Sequence, residues 1–382
     1  MFWPILIMLA TFLAAYANGA NDNFKGVATL FGSGTTDYKK ALLWATFTTG
    51  AGSLAAFFFA GKLITSFSGK GLVPEALLSA PSFLVAVILG AGLTVLIAAR
   101  FGIPVSTTHG LTGALVGAGL AAAGQHLGWA VLTWNFLIPL LVSPVMAMAA
   151  TLLVYPAARS VSQFFGISKS TCLCVGEKRI PVGEAAFDSS GRVSLASLSS
   201  LDIILNETEI CDARAVQVYE GRMFGVEAQK ILDFLHFLSA GAVSFARGLN
   251  DTPKIVAISV AAGMLGLRWN VLCVALLMAL GGFLSARRVA ETMSHKITAI
   301  SHGQGFSANL ITSLLVIFAS RAGWPVSTTH VSCGALFGIG LANGKARWKV
   351  ISGIVGAWVL TLPVAAGTAA MVFLLLSRIF QK

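Results

Sequence analysis

Long apolar runs alternate with short polar interruptions along this chain. After a first run at the N-terminus, MFWPILIMLATFLAAYA, apolar segments fall at 41–61, 81–99, 129–155, 231–247, 269–286, 297–320 and 348–377. Each is near the roughly 20 residues that a helix needs to cross a bilayer, and the last is longer. The N-terminal run has no basic stretch before it, so it reads as a first membrane helix rather than a removed signal peptide. Shorter apolar pieces at 26–32, 105–123, 253–265 and 326–342 open on polar, Gly- and Pro-containing starts. Those starts predict half-helices or re-entrant hairpins, because broken backbone at membrane depth is tolerated only where protein or a water-filled cavity covers it. The pattern as a whole predicts roughly ten to twelve membrane elements.

The polar interruptions repeat. Residues 16–28, YANGANDNFKGVA, align without gaps to residues 245–257, FARGLNDTPKIVA. Ala17, Gly19, Asn21, Asp22, Lys25, Val27 and Ala28 recur as Ala246, Gly248, Asn250, Asp251, Lys254, Val256 and Ala257. A second pair follows, Arg100-Phe-Gly-Ile-Pro-Val-Ser-Thr-Thr-His109 and Arg321-Ala-Gly-Trp-Pro-Val-Ser-Thr-Thr-His330. The two pairs keep nearly the same separation, which marks one duplication. Two similar halves, each with polar motifs set into apolar sequence, suggest a membrane transporter.

Composition agrees. The chain is 56% hydrophobic and only 11% charged, against about a quarter charged in soluble domains. The net charge of +11 would point to nucleic acid in a soluble protein. Here most basic residues lie at the ends of apolar segments, where they anchor helices at the interface, and nucleic-acid binding is set aside. No G-x-x-x-x-G-K-[ST] occurs, so ATP driving would need a separate subunit.

Residues 159–230 break the apolar pattern. They hold nine of the 15 acids: Glu177, Glu184, Asp188, Asp202, Glu207, Glu209, Asp212, Glu220 and Glu227. Short β-like runs such as Thr171–Val175 and Val216–Tyr219 sit between turn residues, which predicts a water-exposed, β-rich insert. Cys172, Cys174 and Cys211 raise a zinc site, but the insert has no histidine and no clear fourth ligand. They read as reduced thiols, and Cys273 and Cys333 as small apolar packing residues. The expected division is a membrane repeat at 1–158, the insert at 159–230 and a second membrane repeat at 231–382.

The remaining acids are Asp22, Asp37, Glu75, Asp233, Asp251 and Glu291. Asp22 and Asp251 are the two inside the repeated motif, each three residues before a lysine. A charge at the bilayer centre costs on the order of 3 kcal/mol on insertion scales, so four sum to roughly 12 kcal/mol. Helix packing does not require that cost twice, although the pairs also fit i,i+3 ion pairs that neutralise one another. An Asn-Asp pair beside glycine offers carboxylate, amide and backbone oxygens, suited to a hard cation such as Na⁺ or to a proton. Pro-Val-Ser-Thr-Thr offers hydroxyls and, at a helix start after proline, free backbone amides that bind an oxyanion. A single such start would be a plain N-cap. Two matched starts could clamp one tetrahedral anion between Ser106, Thr107, Thr108 and Ser327, Thr328, Thr329.

GAND and GLND, with PVSTTH in both halves, resemble the inorganic phosphate transporter (PiT) family, and the likeness covers nearly the whole membrane portion. The resemblance implies an all-α integral membrane protein of two inverted repeats with broken helices and re-entrant hairpins, about five to six elements each. It implies phosphate held at the midplane by the Ser-Thr-Thr tips and the Asn-Asp breaks, with a coupling cation, Na⁺ or H⁺, close by. Carried over, Asn21, Asp22, Asn250 and Asp251 become cation or phosphate ligands, and the six hydroxyl residues become phosphate ligands. The resemblance also places the insert in the cytoplasm and the protein in the cell membrane, and by analogy admits a homodimer. No cofactor beyond the coupling ion is implied.

This chain departs from the family pattern after the Asp. Many members continue with Val-Ala-Asn-Ser or similar, whereas here the sequence is Asn23-Phe24-Lys25-Gly26 and Thr252-Pro253-Lys254. An ammonium can occupy a cation site permanently, or donate directly to phosphate oxygens. The reading taken here is that Lys25 and Lys254 help neutralise the substrate. His109 and His330 either carry protons or hold the hairpin backbone in shape. Arg100 and Arg321 read as interfacial anchors. The mechanism expected is secondary active transport by alternating access, cation-coupled phosphate symport. The alternatives are a sulfate or other oxyanion permease of the same fold, an anion channel, and a membrane enzyme built on Ser/Thr-His, which the duplicated site argues against.

Overall fold

The computed structural model describes residues 2–59, 61–164, 171–181, 186–187, 193–194, 197–207, 224–260 and 266–380. It divides into two compact units, Met1–Pro156 with His236–Lys382, and Ala157–Leu235.

The first half supplies α1 (Phe2–Asp22), a 3-10 turn at Lys25–Val27, α2 (Ala28–Gly32), α3 (Tyr38–Phe59), α4 (Gly61–Phe67) and α5 (Glu75–Leu78). It continues with α6 (Pro81–Arg100), α7 (Thr107–Ala123), α8 (Trp129–Val131), a π-helical turn at Leu132–Leu137 and α9 (Ile138–Phe164). The second half supplies α10 (Ala228–Val260), α11 (Leu267–Ser285), α12 (Arg287–Glu291), α13 (His302–Ala322), α14 (Thr328–Ala342) and α15 (Trp348–Phe380). Among the described residues, 7 helices are long and apolar enough to cross a membrane. Their outer faces carry exposed Phe47, Phe58, Leu153 and Leu276, and exposed Trp129, Trp269, Trp324 and Trp348 lie near helix ends. Lipid-facing aliphatics with tryptophan at the ends fit a bilayer environment.

Two structural features differ from the sequence expectation. The second motif copy does not break its helix: α10 runs through Pro253 to Val260, so 253–260 is not a separate half-helix, and 261–265 lie outside the described residues. Proline is tolerated in membrane helices when neighbours secure the freed backbone. Around this stretch α10 packs on α3: an added Cβ at Gly248 would sit 2.1 Å from the Thr49 carbonyl oxygen, and the Thr252 hydroxyl bonds Ser53 Oγ at 2.8 Å. In the first copy α1 does end at Asp22, and Phe24, at the position equivalent to that proline, is buried and stacks on Tyr38 at 4.8 Å. The segment expected at 297–320 begins as helix only at His302, after a π-helical turn at Thr292–Lys296. Ser301 sets that start with a capping box to Gln304.

Both Pro-Val-Ser-Thr-Thr stretches join two helices through a turn. α6 and α13 end in turns where Gly102 (φ 70) and Gly323 (φ 80) take left-handed backbone that a side chain would strain. An extended Pro-Val stretch follows, and α7 and α14 then open on Ser106 and Ser327 as N-caps, accepting from the backbone N–H of His109 and His330. In the core, one cluster joins Phe24, Val27, Val289, Met293, Leu336 and Trp358, and another joins Phe67, Phe83, Ile88, Leu111 and Leu115.

In the other unit, β1 (Thr171–Pro181) pairs antiparallel with β4 (Ser197–Glu207) and with β5 (Phe224–Glu227), in the order β4-β1-β5. β2 (Ala186–Phe187) pairs with β3 (Val193–Ser194). The run expected at Thr171–Val175 opens β1, whereas Val216–Tyr219 and Cys211 lie outside the described residues.

Candidate functional site

The repeated motifs converge. Lys25 Nζ lies 2.7 Å from Asn21 Oδ1, 2.5 Å from Asp22 Oδ1, 2.8 Å from the Val105 carbonyl and 2.6 Å from Thr329 Oγ1. One ammonium therefore gathers oxygen from α1, from the first hairpin and from the helix start of the second. Lys254 repeats the arrangement from the other half: its Nζ lies 2.7 Å from Thr108 Oγ1, 2.7 Å from the Val326 carbonyl and 3.4 Å from Asp251 Oδ1. The tips also bond each other, Thr329 Oγ1 donating to Val105 O at 2.9 Å and Thr108 Oγ1 to Val326 O at 3.2 Å. Each lysine thus binds the carbonyl of its own half's hairpin and the threonine of the other half's.

The asparagines and carboxylates tie the rest. Asn21 donates to Ile103 O at 2.9 Å and accepts from the Val105 N–H at 3.2 Å, fixing the first hairpin to α1. Asn250 donates to Val326 O and accepts from Ser320 Oγ, doing the same for the second. Thr107 Oγ1 donates to Asp22 Oδ2 at 3.2 Å. Ser106, Ser327 and Thr328 are buried at the same helix starts, the two serines engaged as caps.

Arg247 and Asn18 were not among the residues expected, yet both belong to the cluster. Arg247 is 1% exposed; its Nη2 donates to Asn18 Oδ1 at 2.6 Å and its Nη1 to Asn23 Oδ1 at 3.0 Å and Thr49 Oγ1 at 3.2 Å. Its Nε stands 3.7 Å from Asp251 Oδ2. Asn18 Nδ2 lies 3.2 Å from Asp22 Oδ2, 3.3 Å from Asp251 Oδ2 and 2.9 Å from Thr107 Oγ1, bridging the two carboxylates. The signal was present, since Arg247 is a guanidinium at the heart of the second motif copy. It was overlooked because it replaces Asn18 instead of repeating it. Three buried side-chain cations therefore face two carboxylates, a net of one positive charge.

The histidines lie to one side. The His109 and His330 rings are 4.4 Å apart, and His330 stacks on Trp358 at 3.9 Å, with its Nδ1 3.2 Å from Leu140 O. Trp358 Nε1 in turn donates to Pro104 O, so this stack braces the first hairpin. Arg100 is exposed, and with Arg287 and Arg288 it lines a recess of about 800 Å³. A recess of about 450 Å³ carries Lys62 and Lys70 beside Gly323.

The sequence profile of the phosphate transporter family matches residues 18–369. The chain belongs to the phosphate transporter family. A candidate phosphate permease of Pyrococcus horikoshii is 30% identical over 97% of this chain and 97% of its own. A candidate low-affinity inorganic phosphate transporter of Rhizobium meliloti is 28% identical over 96% of this chain and 94% of its own. A solved structure, described as the sodium-dependent phosphate transporter, matches with a TM-score of 0.75 over 100% of both chains at 22% identity, a likeness of fold. This member is accordingly a multi-pass membrane transport protein of nearly all-helical architecture in its membrane unit, and not an enzyme.

Proposed function

We propose that this chain carries inorganic phosphate by secondary active transport, with the anion bound where the two hairpin tips meet. The observation that carries the reading is the convergence of Thr108, Thr329, Lys25 and Lys254 on one buried cluster of net positive charge. An anion entering there meets two threonine hydroxyls, two ammoniums and the first-turn amides of two helices, whose dipole ends favour negative charge.

The choice of phosphate over sulfate rests on the family to which the chain belongs. In this reading Asn21 and Asn250 set the hairpins, and Ser106, Thr107, Ser327 and Thr328 complete the anion's donors. The two halves act as inverted repeats, one moving against the other around the site to expose it alternately.

The test is radiolabelled phosphate uptake into proteoliposomes holding the purified protein, under imposed ion gradients and with excess unlabelled sulfate. Concentrative uptake that sulfate barely inhibits is expected. Accumulation of labelled sulfate in place of phosphate would overturn the substrate, and uptake that never exceeds equilibrium would make the protein a channel.

A further inference from the structure

The family resemblance places a transported cation on Asn21, Asp22, Asn250 and Asp251, and the side chains in this structure do not fit one. Each of the six side-chain oxygens of that set already accepts from a donor or faces a fixed cation. Asn21 Oδ1 takes Lys25 Nζ and the Val105 N–H. Asp22 Oδ1 takes Lys25 Nζ, and Oδ2 takes Asn18 and Thr107. Asn250 Oδ1 takes Ser320 Oγ. Asp251 Oδ1 takes Lys254 Nζ and Asn250 Nδ2, and Oδ2 takes Asn18 and stands against Arg247. The shell around Lys25 Nζ, of carboxylate, amide, carbonyl and hydroxyl oxygen, is the kind that a hard monovalent cation takes, and a lysine ammonium is a compact point charge.

We propose that Lys25 and Lys254 are tethered cations that fill the positions a transported Na⁺ would take, so that this chain moves its anion without Na⁺. The proposal rests on the reading that the cluster is the anion site. Charge supports it independently. Lys25, Lys254 and Arg247 already outnumber Asp22 and Asp251 by one, enough to offset a phosphate monoanion. Each Na⁺ added beside the ammoniums would meet like charge and side-chain oxygens already engaged by donors or fixed cations. Both lysines are nine-tenths or more buried, at equivalent positions of the duplication.

The test uses the purified full-length protein in proteoliposomes preloaded with phosphate, following exchange of labelled phosphate with choline or Na⁺ as the sole external and internal cation. The expected result is equal exchange in the two media and no retention of radiolabelled sodium by the protein. An obligatory Na⁺ would shift the half-saturating phosphate concentration by about 5–150-fold, and that shift, or saturable sodium binding, overturns the proposal. A parallel series with labelled sulfate separates the two readings. Sulfate exchange indifferent to Na⁺, with none of phosphate, would remove the phosphate reading and leave the tethered cations in place. Sodium binding needs no anion and decides the matter if neither is exchanged. A second arm uses Lys25→Asn, which supplies an amide oxygen and removes the ammonium. Its exchange should fall in choline and recover in Na⁺; exchange at the wild-type rate in choline overturns the proposal. If that variant does not fold, wild-type sodium binding still decides.

Discussion

The two copies of the Asn-Asp motif have the same chemistry but not the same structure. The first ends α1 at Asp22 and turns through Phe24, whereas the second stays helical through Pro253. At Asn18 and Arg247 the copies differ in charge, and these two equivalent residues meet each other at 2.6 Å. Equivalent positions that touch across a duplication cannot both be arginine without repulsion. Two asparagines would leave the site with no net charge. One amide and one guanidinium satisfy each other and leave one positive charge in excess. A consequence is that Asp22 has one cation within ion-pair distance, Lys25 at 2.5 Å, while Asp251 has two, Lys254 at 3.4 Å and Arg247 at 3.7 Å.

That asymmetry ranks the expected effects. Lys25→Met strips Asp22 of its partner, and breaking a buried pair in this way costs about 3–5 kcal/mol, with phosphate exchange lost. Lys254→Met should cost clearly less, because Asp251 keeps Arg247; thermal unfolding in detergent compares the two. Equal losses would break the distinction between the copies. Arg247→Asn makes the copies alike and removes charge-assisted hydrogen bonds that contribute about 1.5–3 kcal/mol each. Removing one of the three buried cations cancels the cluster's excess positive charge, so phosphate should bind more weakly, by roughly tenfold if the interaction is worth about 1.4 kcal/mol, measured by equilibrium binding.

Smaller effects should be matched between halves. Thr108→Val and Thr329→Val each remove a hydroxyl bonded to a buried ammonium, and each should weaken phosphate binding by about 1.5 kcal/mol. A loss confined to one of them would show that the halves do not share the anion. Ser106→Ala and Ser327→Ala each remove an N-cap, worth ~1 kcal/mol in unfolding.

Much of this was legible in the sequence, because hydrophobic length and duplicated polar motifs are local signals. The runs at 41–61, 81–99, 269–286 and 348–377 correspond to α3, α6, α11 and α15, and the Pro-Val-Ser-Thr-Thr starts open α7 and α14. What escaped depends on tertiary contacts. Pro253 reads as a break, yet α10 continues past it, packed on α3. The His109–His330–Trp358 stack joins three distant helices, so no local pattern announced it. Arg247 escaped for another reason: a search for identities between the copies discards the positions at which they differ, and here that position sets the charge of the site.

The most direct test of one site shared by two half-motifs is the stoichiometry of phosphate binding, by equilibrium dialysis of the purified protein with radiolabelled phosphate. The prediction is one phosphate per chain, with Thr108→Val and Thr329→Val each weakening that single site. Two phosphates per chain, or variants that each lose half of the bound phosphate and leave the rest untouched, would contradict it.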